Sequence, residues 1–197
     1  MKVKFCGLTR EEDIEYANEL MPEYIGFVFW EKSSRNITPE KAKDLRGELH
    51  PDIKAVGVFV NEDMENVLEL YKQGIIDVAQ LHGNEDDIYI KKLQKQGVPI
   101  IKTYKIKSKD DLKLAADSIA DYILLDAGMG QGKTFNWDLL ETFNRKYFLA
   151  GGLDTENITE VVERIKPYAV DVSSGIEVGG KKNQLKMREF MKAVRGQ

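Results

Sequence analysis

One cysteine, Cys6, is all that the 197-residue chain contains. A single thiol closes no intramolecular disulfide, which excludes the stapled framework of a small secreted domain. Two histidines, His50 and His82, beside that one cysteine are too few for a Cys/His zinc site, so no such metal site is expected. No apolar run reaches the roughly 18 residues of a membrane span. The opening, Met1-Lys2-Val3-Lys4-Phe5-Cys6, enters a strand-like pattern at once, without the apolar stretch and small-residue cleavage site of a signal peptide. An excess of charge of one sign is missing too. The 29 basic residues are interleaved with 33 acidic ones, the net charge is -4, and no basic surface is pooled for nucleic acid. Hydrophobic residues at 42% and charged residues at 31% exclude disorder. What remains is expected to be a soluble, cytoplasmic, single-domain protein spanning 1–197, with a small-molecule partner rather than a membrane or nucleic acid. Its oligomeric state, monomer or homodimer, is left open.

The apolar pattern alternates between two kinds of segment. Eight short β-branched or aromatic runs occur, at Val3–Cys6, Tyr24–Trp30, Ala55–Val60, Val78–Leu81, Pro99–Tyr104, Tyr122–Ala127, Tyr147–Ala150 and Ala169–Val172. Several are apolar throughout, the habit of parallel strands buried on both faces. Helix-like stretches lie between them: Glu11–Leu20, the capped start Thr38-Pro39-Glu40, Met64–Lys72, Glu85–Gln96, the capping box at Ser108–Asp111, Trp137–Phe143, Thr155–Ile165 and Gln184–Val194. Eight strand–helix repeats favour the α/β class and a single-domain (β/α)8 TIM barrel. The alternative is an open doubly wound sheet, which would want a glycine-rich dinucleotide loop after its first strand. Cys6-Gly7-Leu8-Thr9-Arg10 is not one.

Function in a parallel barrel collects at the C-terminal ends of the strands. Those ends carry Cys6, Glu31–Arg35, Asn61, Gln80 and His82, Lys102 and Thr103, Asp126, Gly151-Gly152 and Ser173-Ser174-Gly175. Core packing alone does not ask for such a polar ring. A cysteine packs as a small hydrophobe or, before Gly7 and a helix N-terminus, acts as a thiolate of lowered pKa. Asp126 stands about ten residues ahead of the next helix, too far to cap it. Partly desolvated at a barrel mouth, its pKa is expected to be raised, as suits a general acid. Arg35 either lies in solvent or grips a planar carboxylate. The turns Gly151-Gly152 and Ser173-Ser174-Gly175, after strands seven and eight, mark the common phosphate cradle. Ala127–Thr134 looks superficially like a nucleotide P-loop, but Ala127 stands where that motif needs its first glycine.

These blocks, taken in order, resemble phosphoribosylanthranilate isomerase of tryptophan synthesis. The resemblance rests on Lys4–Arg10, Gly26–Trp30 with Lys32–Arg35, Val56–Asn61, Gln80–Gly83, Leu124–Ala127, Gly132–Phe135, Leu149–Leu153 and Val170–Glu177 with Gly180–Lys182. It implies a cofactor-free barrel that converts the aminoaldose N-(5-phosphoribosyl)anthranilate into an aminoketose by an Amadori rearrangement. By motif, the family's base cysteine falls on Cys6, its acid aspartate on Asp126 and its carboxylate-binding arginine on Arg35. The phosphate turns fall on Gly151-Gly152 and Ser173-Ser174-Gly175. Gln80 and His82 count with the substrate-binding residues. The loop after Asp126 departs from the Gly-Gly-Thr-Gly-Lys-Thr type often seen, and Asn136 replaces a common aspartate. Rival readings are the related isomerase of histidine synthesis, which uses an aspartate where Cys6 stands, a metal-dependent pentose-phosphate epimerase, and a non-catalytic phosphate-binding barrel.

Overall fold

A computed structural model describes residues 1–128, 140 and 143–196. The expected helix Trp137–Phe143 and most of the glycine-rich stretch after Ala127 lie outside the described residues, apart from Gly128, Leu140 and Phe143. Eight parallel strands close into a barrel in chain order. They are β1 (Lys2–Cys6), β2 (Tyr24–Phe29), β3 (Lys54–Phe59), β4 (Val78–Leu81), β5 (Ile100–Lys105), β6 (Tyr122–Asp126), β7 (Tyr147–Ala150) and β8 (Ala169–Val172). β1 pairs with both β2 and β8, so no edge is left and the open doubly wound sheet is set aside. Every expected strand is present, β4, β7 and β8 with the expected bounds and the other five displaced by one residue at one or both ends. After β8 come two short antiparallel strands, β9 (Glu177–Val178) and β10 (Lys181–Lys182).

The helices follow their local signals. α1 spans Glu11–Leu20. α2 (Pro39–Glu48) starts with Pro39 in its first turn, behind Thr38, whose hydroxyl accepts from the Lys41 N–H. α3 is Met64–Lys72. α4 is Asp87–Lys95, later than the expected Glu85 start, because Asp86 takes the capping position and accepts from the Tyr89 N–H at 2.8 Å. α5 (Lys109–Ala116) carries the expected Ser108–Asp111 box. The Thr155–Ile165 helix is shorter than expected. Only α6 (Ile158–Glu160) is α-helical, and a wider π-helical turn runs through Val161–Ile165. α7 (Gln184–Arg195) is capped by Asn183. Among the described residues no helix is long and apolar enough to cross a membrane.

Side chains alternate in and out of the barrel with the two-residue period of a strand. Tyr24, Val56, Val78, Ile101, Leu124, Phe148 and Ala169, one from each of β2–β8, pack together as an apolar interior floor. β1 departs from this by directing Lys4 inward, fully buried. Its Nζ donates to both carboxylate oxygens of Asp171, each at 3.0 Å, from the paired position on β8. A buried charge needs such a partner. Lys4→Met strands the Asp171 carboxylate and is expected to cost about 3–5 kcal/mol. The pair change Lys4→Met with Asp171→Leu should recover most of that loss. Urea midpoints at unchanged slope measure both, and equal losses in the single and double variants would assign the cost to packing instead.

Candidate active site

Two residues above Lys4 on the same inward row, Cys6 ends β1. Cys6 stands in register with Gly26 of β2. A Cβ built on Gly26 would lie 2.8 Å from the Cys6 sulfur and 3.1 Å from Lys4 Nζ, so the missing side chain is the space those two atoms share. Ser173, just past β8, donates from its Oγ to the Cys6 carbonyl at 2.9 Å. Burial pushes the Cys6 thiol above its ordinary value, although Lys4 and Lys182 pull the other way and Lys4 hydrogen-bonds the sulfur. The expectation of a lowered thiol is therefore corrected for the free protein. α1 begins only at Glu11, and desolvation outweighs the nearby ammonium groups.

Asp126 ends β6. Its Oδ1 accepts from the Gly128 N–H at 3.0 Å, and its Oδ2 lies 3.7 Å from Nε2 of His82, just beyond β4. The His82 imidazole beside it, joined by the Gly128 N–H, holds the carboxyl below its ordinary value against the opposing effect of burial. The expected upward shift is thus reversed, and the cause is a partner from across the mouth that strand patterning does not reveal. Gly151 stands beside the same carboxylate, with φ +99°, and a Cβ there would come 2.6 Å from Asp126 Oδ1. Its bareness makes room for the Asp126 carboxylate as well as shaping the turn after β7.

The two glycine-bearing turns are joined by a bridge between Asp154 and Gly175, and a side chain on Gly175 would collide with the Leu153 carbonyl. Gly152 holds φ +66°, its carbonyl accepting from Asn157. Ser174 is exposed, and its carbonyl accepts from the Glu177 N–H at 3.0 Å. In barrel order β7 and β8 separate β6 from β1. Both turns therefore lie between Asp126 and Cys6. Gln80 is buried and donates to Thr103 Oγ1 at 3.3 Å, while its Oε1 has no partner among the described residues.

Arg35 reaches the mouth through a tight turn after β2. Asn36 bridges back to Val28 and accepts from the Trp30 N–H, and the Arg35 N–H donates to Ser33 Oγ. Its stem lies across Gly7, φ +78°, where a Cβ would collide with Arg35 Cδ. Lys32, by contrast, is exposed.

Strand reading passed over several groups that hold this mouth. Lys4 and Asp171 carried a signal, since a lysine or aspartate at an inward position of an apolar strand must be paired. Glu85 carried none. Its carboxylate accepts from the Asn61 and Gly83 N–H groups and from Lys102 at 2.8 Å, fixing the loop that bears His82. Among the described residues no cluster of three or more His, Cys, Asp or Glu is placed to hold a metal ion. A cleft of about 840 Å³, lined by Trp30, Lys32, Asn36, Ile37, Pro39 and Leu70 among others, takes in none of Cys6, Asp126, His82, Arg35 or the two glycine turns.

Residues 3–193 match the family model described as N-(5'phosphoribosyl)anthranilate (PRA) isomerase. A relative from Thermoanaerobacter sp. (strain X514), named N-(5'-phosphoribosyl)anthranilate isomerase, is 46% identical over 203 residues, covering 100% of this chain and 98% of that protein. The crystal structure of phosphoribosyl anthranilate isomerase from Thermotoga maritima superposes with a TM-score of 0.93 at 36% identity, covering all of both chains. A further phosphoribosyl anthranilate isomerase, solved in complex with reduced 1-(o-carboxyphenylamino)-1-deoxyribulose 5-phosphate, superposes with a TM-score of 0.91 at 35% identity, again over 100% of each chain. With this barrel, these strand-end residues and a match along nearly its whole length, the chain belongs to the phosphoribosylanthranilate isomerase family.

Proposed function

We propose that this chain, as one barrel domain over residues 1–197, isomerises N-(5-phosphoribosyl)anthranilate to 1-(2-carboxyphenylamino)-1-deoxyribulose 5-phosphate in tryptophan biosynthesis. It does so in the cytoplasm, without a cofactor, as an aldose–ketose isomerase. The observation that supports this most is the order around the mouth: a carboxyl on β6, glycine turns after β7 and β8, a thiol on β1. A phosphate held on the two turns lies between acid and base, and the sugar carbons cross the mouth. Asp126 gives a proton to the furanose oxygen, and the ring opens to an iminium. The iminium acidifies the C2 proton, which the Cys6 thiolate removes. The resulting enolamine tautomerises to the ketone. Arg35 takes the anthranilate carboxylate, His82 stands beside the acid, and the Gln80 Oε1, without a partner among the described residues, accepts from a sugar hydroxyl. Binding energy from the phosphate and carboxylate ends orients the reacting middle.

The working form needs a protonated Asp126 and an ionised Cys6. The free protein favours the opposite, since His82 draws the carboxyl down and burial pushes the thiol up. With the acid titrating below the base, the working form is a constant minority between the two values. Above the thiol's value its share falls. The alkaline limb of kcat/KM is therefore set by Cys6 and is expected above the roughly 8.5 of a free thiol. A limb below pH 8 would contradict this assignment.

Loss of phosphoribosylanthranilate fluorescence on adding the purified chain tests the function itself. Unchanged fluorescence at micromolar protein would refute it. Offering the aminoaldose of histidine synthesis alongside separates this reading from the related isomerase.

A further inference from the structure

Arg35 already has a carboxylate partner within the protein. Its Nε and Nη2 donate to the two carboxylate oxygens of Glu177, each at 2.7 Å, the planar fork of a bidentate pair. Glu177 opens β9 opposite Lys182 of β10. Lys182 Nζ donates to Glu177 Oε1 at 2.6 Å, and to the Ser173 carbonyl and hydroxyl at 3.0 and 3.2 Å. The Glu177 side chain is 8% exposed and that of Lys182 only 1%. Burial works against the Glu177 carboxylate, but Arg35 and Lys182 together outweigh it and hold the group below its ordinary value. It is a fixed negative charge at neutral pH.

A guanidinium carries five N–H donors in one plane. Glu177 consumes the edge formed by Nε and Nη2. The end formed by Nη1 and the second Nη2 hydrogen has no acceptor among the described residues. The guanidinium's stem lies against Gly7, in the space that a side chain there would fill. One edge clamped and one face supported leave a single fork open, in a fixed plane, beside the base cysteine.

We propose that Glu177 is a positioning residue for carboxylate recognition: by occupying one edge of Arg35 it presents the remaining fork to the ring carboxylate of the substrate, so that the benzoate is read in one orientation. This rests on the reading of the substrate given above. Without Glu177 the guanidinium is free to rotate, and Arg35 and Lys182 become a diffuse pair of positive charges. Such a pair attracts any anion but fixes none. The loss should therefore fall on ligands that carry the ring carboxylate and spare those that do not.

The test measures affinities of two probes by calorimetry. One is reduced 1-(o-carboxyphenylamino)-1-deoxyribulose 5-phosphate, and the other is its phenylamino counterpart lacking the carboxylate. In E177Q the first should bind about 10- to 100-fold more weakly, the scale of a charge-assisted pair, and the second within about twofold of wild type. Arg35→Ala added to E177Q should bring little further loss, because the two act through one fork. E177D keeps a charge beside Lys182 but withdraws it from Arg35 by one methylene. It should show the same ligand-selective loss, and it carries the test if E177Q does not fold. Equal weakening of both probes would make Glu177 a general support of the phosphate turn and overturn the proposal, as would unchanged affinity for both. A wild-type protein that turns over phosphoribosylanthranilate alongside either result would leave the functional reading standing. A wild-type protein that binds neither probe would remove both.

Discussion

Asp126→Asn protein should fold, bind the reduced product analogue within a few-fold of wild type, and turn over about 10²–10⁴ more slowly, the usual contribution of a general acid. Asparagine keeps the shape of the carboxylate. Its oxygen still accepts from the Gly128 N–H, and Gly151 still leaves room for it. What it loses is the transferable proton. It also loses the charge that His82 stabilises. Because the folded-state value of Asp126 is lowered, its carboxylate contributes stability above the ordinary value, and that contribution is lost as pH falls through the lowered one. The asparagine variant should therefore show a weaker acid dependence of unfolding than wild type. Single-turnover fluorescence separates the chemical step from binding. A variant that keeps more than about half the wild-type kcat would take Asp126 out of the acid role.

The barrel was legible because its strands are apolar on both faces and spaced by capped helices. Gly26–Phe29 and Tyr122–Leu125 have no solvent face to show, which only a doubly covered sheet explains. The strand ends then gave Cys6, Asp126 and the two glycine turns by position alone. The chemistry of those ends was less legible, since it depends on what stands across the mouth. Asp126 reads as a desolvated acid until His82, brought from β4 by closure of the barrel, is placed beside it. Glu85 reads as a helix start until its carboxylate is seen turned inward onto the Asn61 and Gly83 N–H groups and Lys102. Arg35 reads as a free anion receptor until Glu177, 142 residues away, is found on one of its edges. Lys4 is a different case. Its charge inside Val3–Cys6 was visible, and the two-residue period places it on the same inward row as Cys6. Only its partner Asp171 required the fold.

Cys6→Ser should be close to inert although the chain still folds, with turnover reduced by roughly 10²–10⁴ or more. The change removes little volume, and a serine oxygen still offers Lys4 an acceptor, so stability should fall only modestly. Catalysis has no such cover. A hydroxyl ionises far less readily than a thiol, and a serine base would need a neighbouring histidine to activate it. His82 is committed to Asp126, and His50 lies with Asp52. The same residue allows a chemical test, because Cys6 is the only thiol in the chain. Alkylation should inactivate the protein, and the reduced product analogue should protect it by filling the mouth. Its rate should climb with pH through a midpoint above the roughly 8.5 of a free thiol, because burial outweighs Lys4 and Lys182. A midpoint below pH 7.5 would show that the two ammonium groups win in solution and would leave Cys6 ionised at rest. A cysteine that serves packing alone predicts a different set of results: slow alkylation indifferent to the analogue, and a serine variant that keeps its turnover. Robust activity in purified Cys6→Ser protein would therefore remove the thiolate from the mechanism, while the barrel and its membership of the family would stand.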